Sequence, residues 1–170
     1  MTLPYIKAND TVLDIGCFDN SLLEKLKSKP INFSFGLDPL LESSVITENY
    51  KLLPGRFPEN LPEEVTFNCI AMLAVLEHIP TQEQHKLSVD YYKHLKPKGR
   101  VIITVPSPFV DYILLVLSKL RLIDGMSLEE HYGFKIEDVP IIFNKEHFKL
   151  INHKRFQLGL NNLFVFEKYK

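Results

Sequence analysis

The sequence predicts an α/β fold: a mainly parallel sheet with helices on both faces, closed at its C-terminal end by an antiparallel hairpin. Three observations predict it. Strand-like runs alternate with helix-like stretches along the first two-thirds of the chain, the arrangement that builds parallel sheets through right-handed crossovers. The run Arg100–Val105, RVIITV, is almost wholly apolar, as a strand covered on both faces requires. Near the C-terminus Phe148–Phe156 and Asn161–Tyr169 are two strand-like runs with Gly159 in the turn between them and no helix to separate them, which reads as a hairpin.

The elements follow in order. Asn9-Asp10 forms a polar turn, and Thr11–Leu23, TVLDIGCFDNSLL, is the stretch around which the chain is organised. Val12, Leu13 and Ile15 suit a buried strand, and Ser21 is placed to cap a helix through Leu22, Leu23 and Leu26. A strand that feeds a helix through a glycine turn aims backbone N–H groups at one spot, which suits an anionic or carboxylate-bearing ligand. Lys29-Pro30 breaks the helix, and Ile31–Leu37 is a second strand that ends at Asp38. A carboxylate at the carboxyl edge of the sheet can accept two hydrogen bonds from a ribose diol, although an Asp-Pro pair can also simply open a turn. Tyr50–Leu53 is a third strand, and Glu64–Ala71 leads into a fourth with Met72, Leu73 and Ala74 at its carboxyl edge. Val75–His78 is a short helical turn. Thr81–Leu95 is a surface helix with a Thr81/Gln84 capping box, an apolar face of Leu87, Tyr91 and Leu95, and a stop at Pro97 and Gly99. The basic cluster Lys93–Arg100 reads as a solvated helix end. Phe109–Ile123 is a strongly apolar helical segment in which eleven of fifteen residues are apolar, more than one face of a surface helix needs. It is predicted to meet a second copy of the chain or an apolar acceptor through Ile113, Leu114 and Leu117. A short helix near Ile136–Asn144, interrupted by Pro140, precedes the hairpin.

Four strings occur in a telling order: VLDIGC at Val12–Cys17, Leu37-Asp38-Pro39, AVLEHIP at Ala74–Pro80, and LKPKGRVIITVPSP at Leu95–Pro108. Together they resemble the ordered motifs of class I S-adenosylmethionine-dependent methyltransferases, and GLNNLFVFEK at Gly159–Lys168 is similar to the family's final strand. The resemblance implies a Rossmann-like methyltransferase fold with a seven-stranded sheet, residues 1–170 forming one domain, and S-adenosyl-L-methionine as cofactor. It implies cofactor contacts from Asp14, Gly16, Cys17, Phe18, Asn20, Asp38, Met72 and Leu73. The segment after the fifth strand is where the family commonly builds its acceptor pocket, so His131 and Tyr132, together with His78, are the candidate catalytic bases. About ten residues precede the first strand, so the helices that usually help close the cofactor site in this family are expected to be reduced or absent.

Departures from the family pattern sharpen the expectations. The family's glycine turn usually repeats glycine at alternate positions, but here Phe18 and Asn20 follow Gly16. Asn tolerates positive φ and can keep the bend. Phe18 either faces the site and obstructs the close backbone approach, or turns inward or stacks beside the ligand and leaves binding intact; its spacing to Leu22 favours packing in a shared pocket. The acidic residue that commonly faces the adenine amine has no match after the third strand, where Arg56 and Glu59 are nearest. A single glycine is also too few for the pyrophosphate of a nicotinamide dinucleotide.

With 20 basic and 21 acidic residues and a net charge of -1, nothing in the charge balance argues for nucleic acid. Two cysteines, Cys17 and Cys69, build no disulfide framework and read as small buried groups in a reducing, cytoplasmic compartment. The six histidines and two cysteines show no paired metal spacing. MTLPYIKAND has neither the apolar core nor the cleavage site of a signal peptide, and Phe109–Ile123, with Asp111, Lys119 and Arg121, is too short and too charged for a transmembrane span. The expected function is methyl transfer to a small-molecule acceptor by in-line displacement. A catalytically inactive binding or scaffolding subunit of the same fold is the alternative, motivated by Phe18 and the reduced N-terminus.

Overall fold

The computed structural model describes residues 1–62, 64–107, 110, 135–143 and 146–169. His131, Tyr132 and nearly all of the Phe109–Ile123 segment lie outside the described residues, and with them the predicted acceptor and dimer surface.

Among the described residues eight strands form one sheet: β1 Val12–Ile15, β2 Ser34–Asp38, β3 Val45–Ile46, β4 Tyr50–Pro54, β5 Phe67–Leu73, β6 Leu95–Pro106, β7 Phe148–Phe156 and β8 Asn161–Lys168. Their order across the sheet is β3-β4-β2-β1-β5-β6-β8-β7. The five strands from β4 to β6 run parallel; β3 is antiparallel to β4, and β8 is antiparallel to both β6 and β7. The predicted parallel sheet with its C-terminal hairpin is therefore present, with the boundaries of β7 as expected. The expected strand count of seven rises to eight because Val45 and Ile46, two exposed residues, pair with the edge of β4. Two exposed residues carry no burial pattern by which a sequence would announce a strand.

Strand residues alternate between two apolar layers, as a period of two demands. Leu13, Ile15, Ile70, Met72, Val101 and Ile103 face one layer, with Leu87 and Tyr91 of helix α2 (Thr81–His94) and with Val139, Ile142 and Phe143. Val12, Cys69, Ala71 and Ile102 face the other, with Leu22, Leu23 and Leu26 of helix α1 (Ser21–Leu26) and with Ile6. Helices thus cover both faces.

Several local expectations are corrected. Ser21 is the first residue of α1 rather than its cap; Asn20 holds that place, and the Ser21 N–H donates to Asp19 Oδ1 at 3.1 Å. The Thr81/Gln84 capping box is absent, because the Gln84 side chain is buried and donates to the carbonyls of Leu76 and Ile79, at 3.3 and 2.7 Å. Pro140 does not interrupt the helix Val139–Ile142 but lies in its first turn, where a missing N–H costs nothing. Arg100 is not part of a solvated run. It is 5% exposed, and its Nη2 reaches Asp10 Oδ2 at 2.7 Å, so the Asn9-Asp10 turn is half buried through an ion pair. At the C-terminal end of α2, the Lys168 ammonium of β8 donates to the carbonyls of Tyr92, in the last turn, and of Leu95, just beyond it, both at 2.6 Å.

Candidate functional site

The strand order reverses between β1 and β5, the switch point where open α/β sheets hold their ligands. Register places the ends of the strands level there: Ile15 pairs with Leu37 on one side and with Met72 on the other, and Leu37 pairs with Leu53. The residues that follow, Gly16, Asp38 and Pro54, form the rim.

Gly16 begins the turn after β1 with φ +77, and its N–H donates to the Leu37 carbonyl at 2.8 Å. A Cβ added at Gly16 would lie 2.3 Å from Val75 Cγ2, so close approach as well as backbone conformation requires glycine. The turn closes with the Asn20 N–H donating to the Cys17 carbonyl, and Asn20 takes the left-handed conformation, φ 49 and ψ 16. The expectation that Asn20 keeps the bend without glycine is borne out.

Asp38 ties the turn to β2. Its Oδ2 accepts the Phe18 N–H at 3.1 Å and its Oδ1 accepts the Leu40 N–H at 2.8 Å. Both earlier readings of this residue are therefore compatible with the geometry. Asp38 does open a turn, at Leu40, and each of its oxygens retains a lone pair for another donor. The side chain of Phe18 corrects one expectation. It is 63% exposed while Leu22 is buried, so the two share no pocket. The Phe18 N–H is held by Asp38, while the ring is exposed to solvent.

Asp14, on β1, is 4% exposed, and burial pushes its carboxyl up from an ordinary 3.8 to about 7, with further repulsion from Asp19 and Asp38. The same three carboxylates add to burial in raising the Cys17 thiol to about 12. The turn is thus an acidic spot. It favours a ligand that brings positive charge and opposes a pyrophosphate. Cys17 itself points inward, its Sγ 2.6 Å from where a Gly36 Cβ would stand. Among the described residues no group of three or more His, Cys, Asp and Glu side chains is placed to hold a metal ion.

A cleft of about 480 Å³ opens beside the rim. It is lined by Ile15, Gly16, Leu37 and Pro39 at the strand ends, by Gly55–Glu59, by Val75 and Ile79, and by Glu83, Lys86, Leu87, Asp90 and Tyr91 of α2. Met72, predicted to touch a cofactor, is wholly buried with its sulfur accepting the Tyr91 hydroxyl at 3.2 Å, so its side chain belongs to the core beneath the cleft. Leu73 lies half-buried at the end of β5, and Ala74 follows with φ 56, its N–H donating to the Thr104 carbonyl at 2.9 Å. His78 is exposed on the 3-10 turn Leu76–His78, between the cleft-lining Ile79 and the buried Leu76 and Glu77. The sequence analysis placed Pro39, Val75 and Ile79 within its motifs but named none of them as a site residue; Pro39 directly follows β2, and Val75 and Ile79 lie in the segment after β5.

Comparison with known proteins places this geometry. Residues 2–158 match a family described as a methyltransferase domain. The chain matches no curated protein. Among solved structures it is similar to a chain of the complex containing the Haloferax volcanii Trm112 methyltransferase activator, at 15% identity over 97% of this chain and 85% of that one, with a TM-score of 0.74. It is also similar to a TehB-like SAM-dependent methyltransferase from Corynebacterium glutamicum, at 13% identity over 97% and 83% of the two chains, with a TM-score of 0.67. A third is the N-methyltransferase NodS from Bradyrhizobium japonicum in complex with S-adenosyl-L-homocysteine, at 15% identity over 96% and 80%, with a TM-score of 0.66. At these identities the shared property is the fold.

Proposed function

Because the chain belongs to the methyltransferase-domain family, we propose that it binds S-adenosyl-L-methionine and transfers the methyl group to a small-molecule acceptor by in-line displacement. The observation that carries the reading is the acidic, single-glycine turn at the switch point with an apolar-walled cleft beside it. The cofactor is cationic at its sulfonium and ammonium groups and has no phosphate, so it suits a turn flanked by Asp14, Asp19 and Asp38. When bound, it supplies a methyl group already activated by the positive sulfur.

In this reading the protein supplies position more than chemistry. The Asp38 carboxylate, held by two backbone N–H groups, offers its remaining lone pairs to ribose hydroxyls. Leu37, Pro39, Val75 and Ile79 give apolar walls for a base. Gly16, pressed against Val75, keeps the backbone of the turn close to the cleft. An acceptor that must lose a proton early would draw on His131, Tyr132 or His78, the first two being sequence-based candidates outside the described residues. The inactive-scaffold alternative loses part of its motive, since the Phe18 ring stands out into solvent rather than filling the cleft.

Calorimetric titration with S-adenosyl-L-methionine and S-adenosyl-L-homocysteine, with NAD as the control, tests the reading. Saturable binding of the first two and none of NAD is expected. Binding of NAD alone, or of none of the three by a folded protein, would overturn it. Among the described residues no helix is long and apolar enough to cross a membrane. The free, buried Cys17 and Cys69 support a reducing, cytoplasmic setting. A homodimer through Phe109–Ile123 would show itself as a sedimentation coefficient that rises with concentration.

A further inference from the structure

Asn20 stands where the family turn usually has glycine, and a left-handed bend at a residue with a side chain carries a conformational cost that glycine avoids. The structure shows what offsets it. The Asn20 Nδ2 donates to the Tyr50 hydroxyl at 3.2 Å, and the Tyr50 hydroxyl donates to Glu24 Oε1 on α1. Glu24 is held in turn by Lys27 at 2.7 Å, and the Lys27 ammonium lies 5.4 Å from the centre of the Tyr50 ring. Tyr50 is 3% exposed at the start of β4, pinned at its backbone by Thr47, whose hydroxyl accepts the Tyr50 N–H at 3.0 Å and donates to the Tyr50 carbonyl at the same distance. One hydroxyl on the rigid sheet thus clasps both the last residue of the turn and the first helix beyond it.

We propose that Tyr50 is a positioning residue for the cofactor turn: by holding the Asn20 amide and Glu24 together, its hydroxyl keeps residues 16–20 in the shape that glycine would otherwise provide. This rests on the reading of that turn as the cofactor-binding element. Tyr50 acts through Asn20 and touches no ligand itself. It differs from an ordinary core tyrosine because its effect depends on Asn20 having a side chain. Removing the hydroxyl from a chain with glycine at position 20 should change nothing at the turn.

That dependence defines the experiment. Tyr50→Phe, Asn20→Gly and the double variant are compared with the parent by two readouts. One is titration with S-adenosyl-L-homocysteine; the other is amide hydrogen exchange at Phe18 and Asn20 in the ligand-free protein. Tyr50→Phe should weaken binding about three- to tenfold, the loss of one to two net hydrogen bonds, and speed exchange at both amides by a similar factor. Asn20→Gly sets a second baseline, and adding Tyr50→Phe to it should cost nothing further in binding or in exchange. Equal losses in the two backgrounds, or unchanged exchange at Phe18 and Asn20 in Tyr50→Phe, would overturn the proposal. If the parent fails to bind the probe, the cofactor reading fails, and the exchange data alone still decide whether the clasp exists. Should Tyr50→Phe fold poorly, Glu24→Ala, at an exposed site, releases the hydroxyl from the far side and should speed exchange at the same two amides; no change there would likewise overturn it.

Discussion

Replacing Asp14 with Asn keeps the shape of the side chain and removes a charge that the fold holds at a cost. With the carboxyl raised from 3.8 to about 7 in the folded chain, ionised Asp14 opposes folding at neutral pH. The linkage has a definite sign. A raised pKa adds stability that is present below pH 4 and lost as pH rises to about 7, beyond which the loss is complete. The difference between the two values corresponds to about 4 kcal/mol, and the unpaired amide hydrogens that Asn brings into a buried site reduce the gain to about 2–4 kcal/mol. For a domain of this size that is a rise in Tm of roughly 5–15 °C above pH 7, falling to zero or a few degrees below it at pH 4, where only the amide penalty remains. Thermal unfolding of parent and variant at pH 4, 5, 6, 7 and 8 reads it directly. Cofactor titration over the same range gives a second reading, since affinity in the parent should strengthen through pH 7 as Asp14 ionises, and the variant should show no such rise. A Tm difference that stays constant from pH 4 to pH 8, or a variant less stable than the parent at pH 8, would refute the argument from burial and the neighbouring carboxylates.

Other predictions follow from single contacts. Asp38→Ala removes charge-assisted hydrogen bonds worth roughly 1.5–3 kcal/mol each, so cofactor affinity should fall at least tenfold by calorimetry; an unchanged Kd in a folded variant would take Asp38 out of the site. Phe18→Ala should leave Tm within about 1 kcal/mol equivalent of the parent, since an exposed ring contributes little to the fold, and a loss of several degrees in calorimetric scans would show that the ring packs after all. Arg100→Ala strands Asp10 as an uncompensated carboxylate in a nearly buried position and should cost about 3–5 kcal/mol in urea denaturation, where an exposed pair would cost under about 1 kcal/mol.

Much of the fold was legible because its strands announce themselves by burial. β1 and the Val101–Val105 part of β6 are largely apolar and buried, and β7 and β8 flank a turn whose Gly159 has φ 87. The rim was legible too, since Gly16, Asn20 and Asp38 are residue types whose backbone or charge suits the places they hold. What stayed hidden depends on partners far away in sequence. Arg100 looks solvated among lysines until Asp10, ninety residues earlier, is seen beside it. Gln84 looks like a capping residue until the carbonyls of Leu76 and Ile79 claim its amide. Phe18 looked ready to pack because sequence spacing shows its nearness to Leu22 but not which way the ring points, and in the fold the ring is exposed. The Tyr50 clasp joins a turn, a helix and a strand, and no local pattern contains all three.

The position of β8 bears on how the chain comes together. Of the strands of this sheet, β8 comes last in chain order yet lies in the interior, between β6 and β7, where it supplies the pairing partners of Arg100–Pro106 on one side and of Phe148–Phe156 on the other. Until residues 161–168 are available, β6 presents an open row of backbone N–H and C=O groups beside Val101, Ile102, Ile103 and Val105, all four fully buried in the finished fold. A nascent chain paused just short of them is a half-closed sheet with an adhesive border, the kind of edge that other chains add to. The eight residues of β8 therefore act as a seal. They decide whether the product of synthesis is a single sheet or a template for its neighbours.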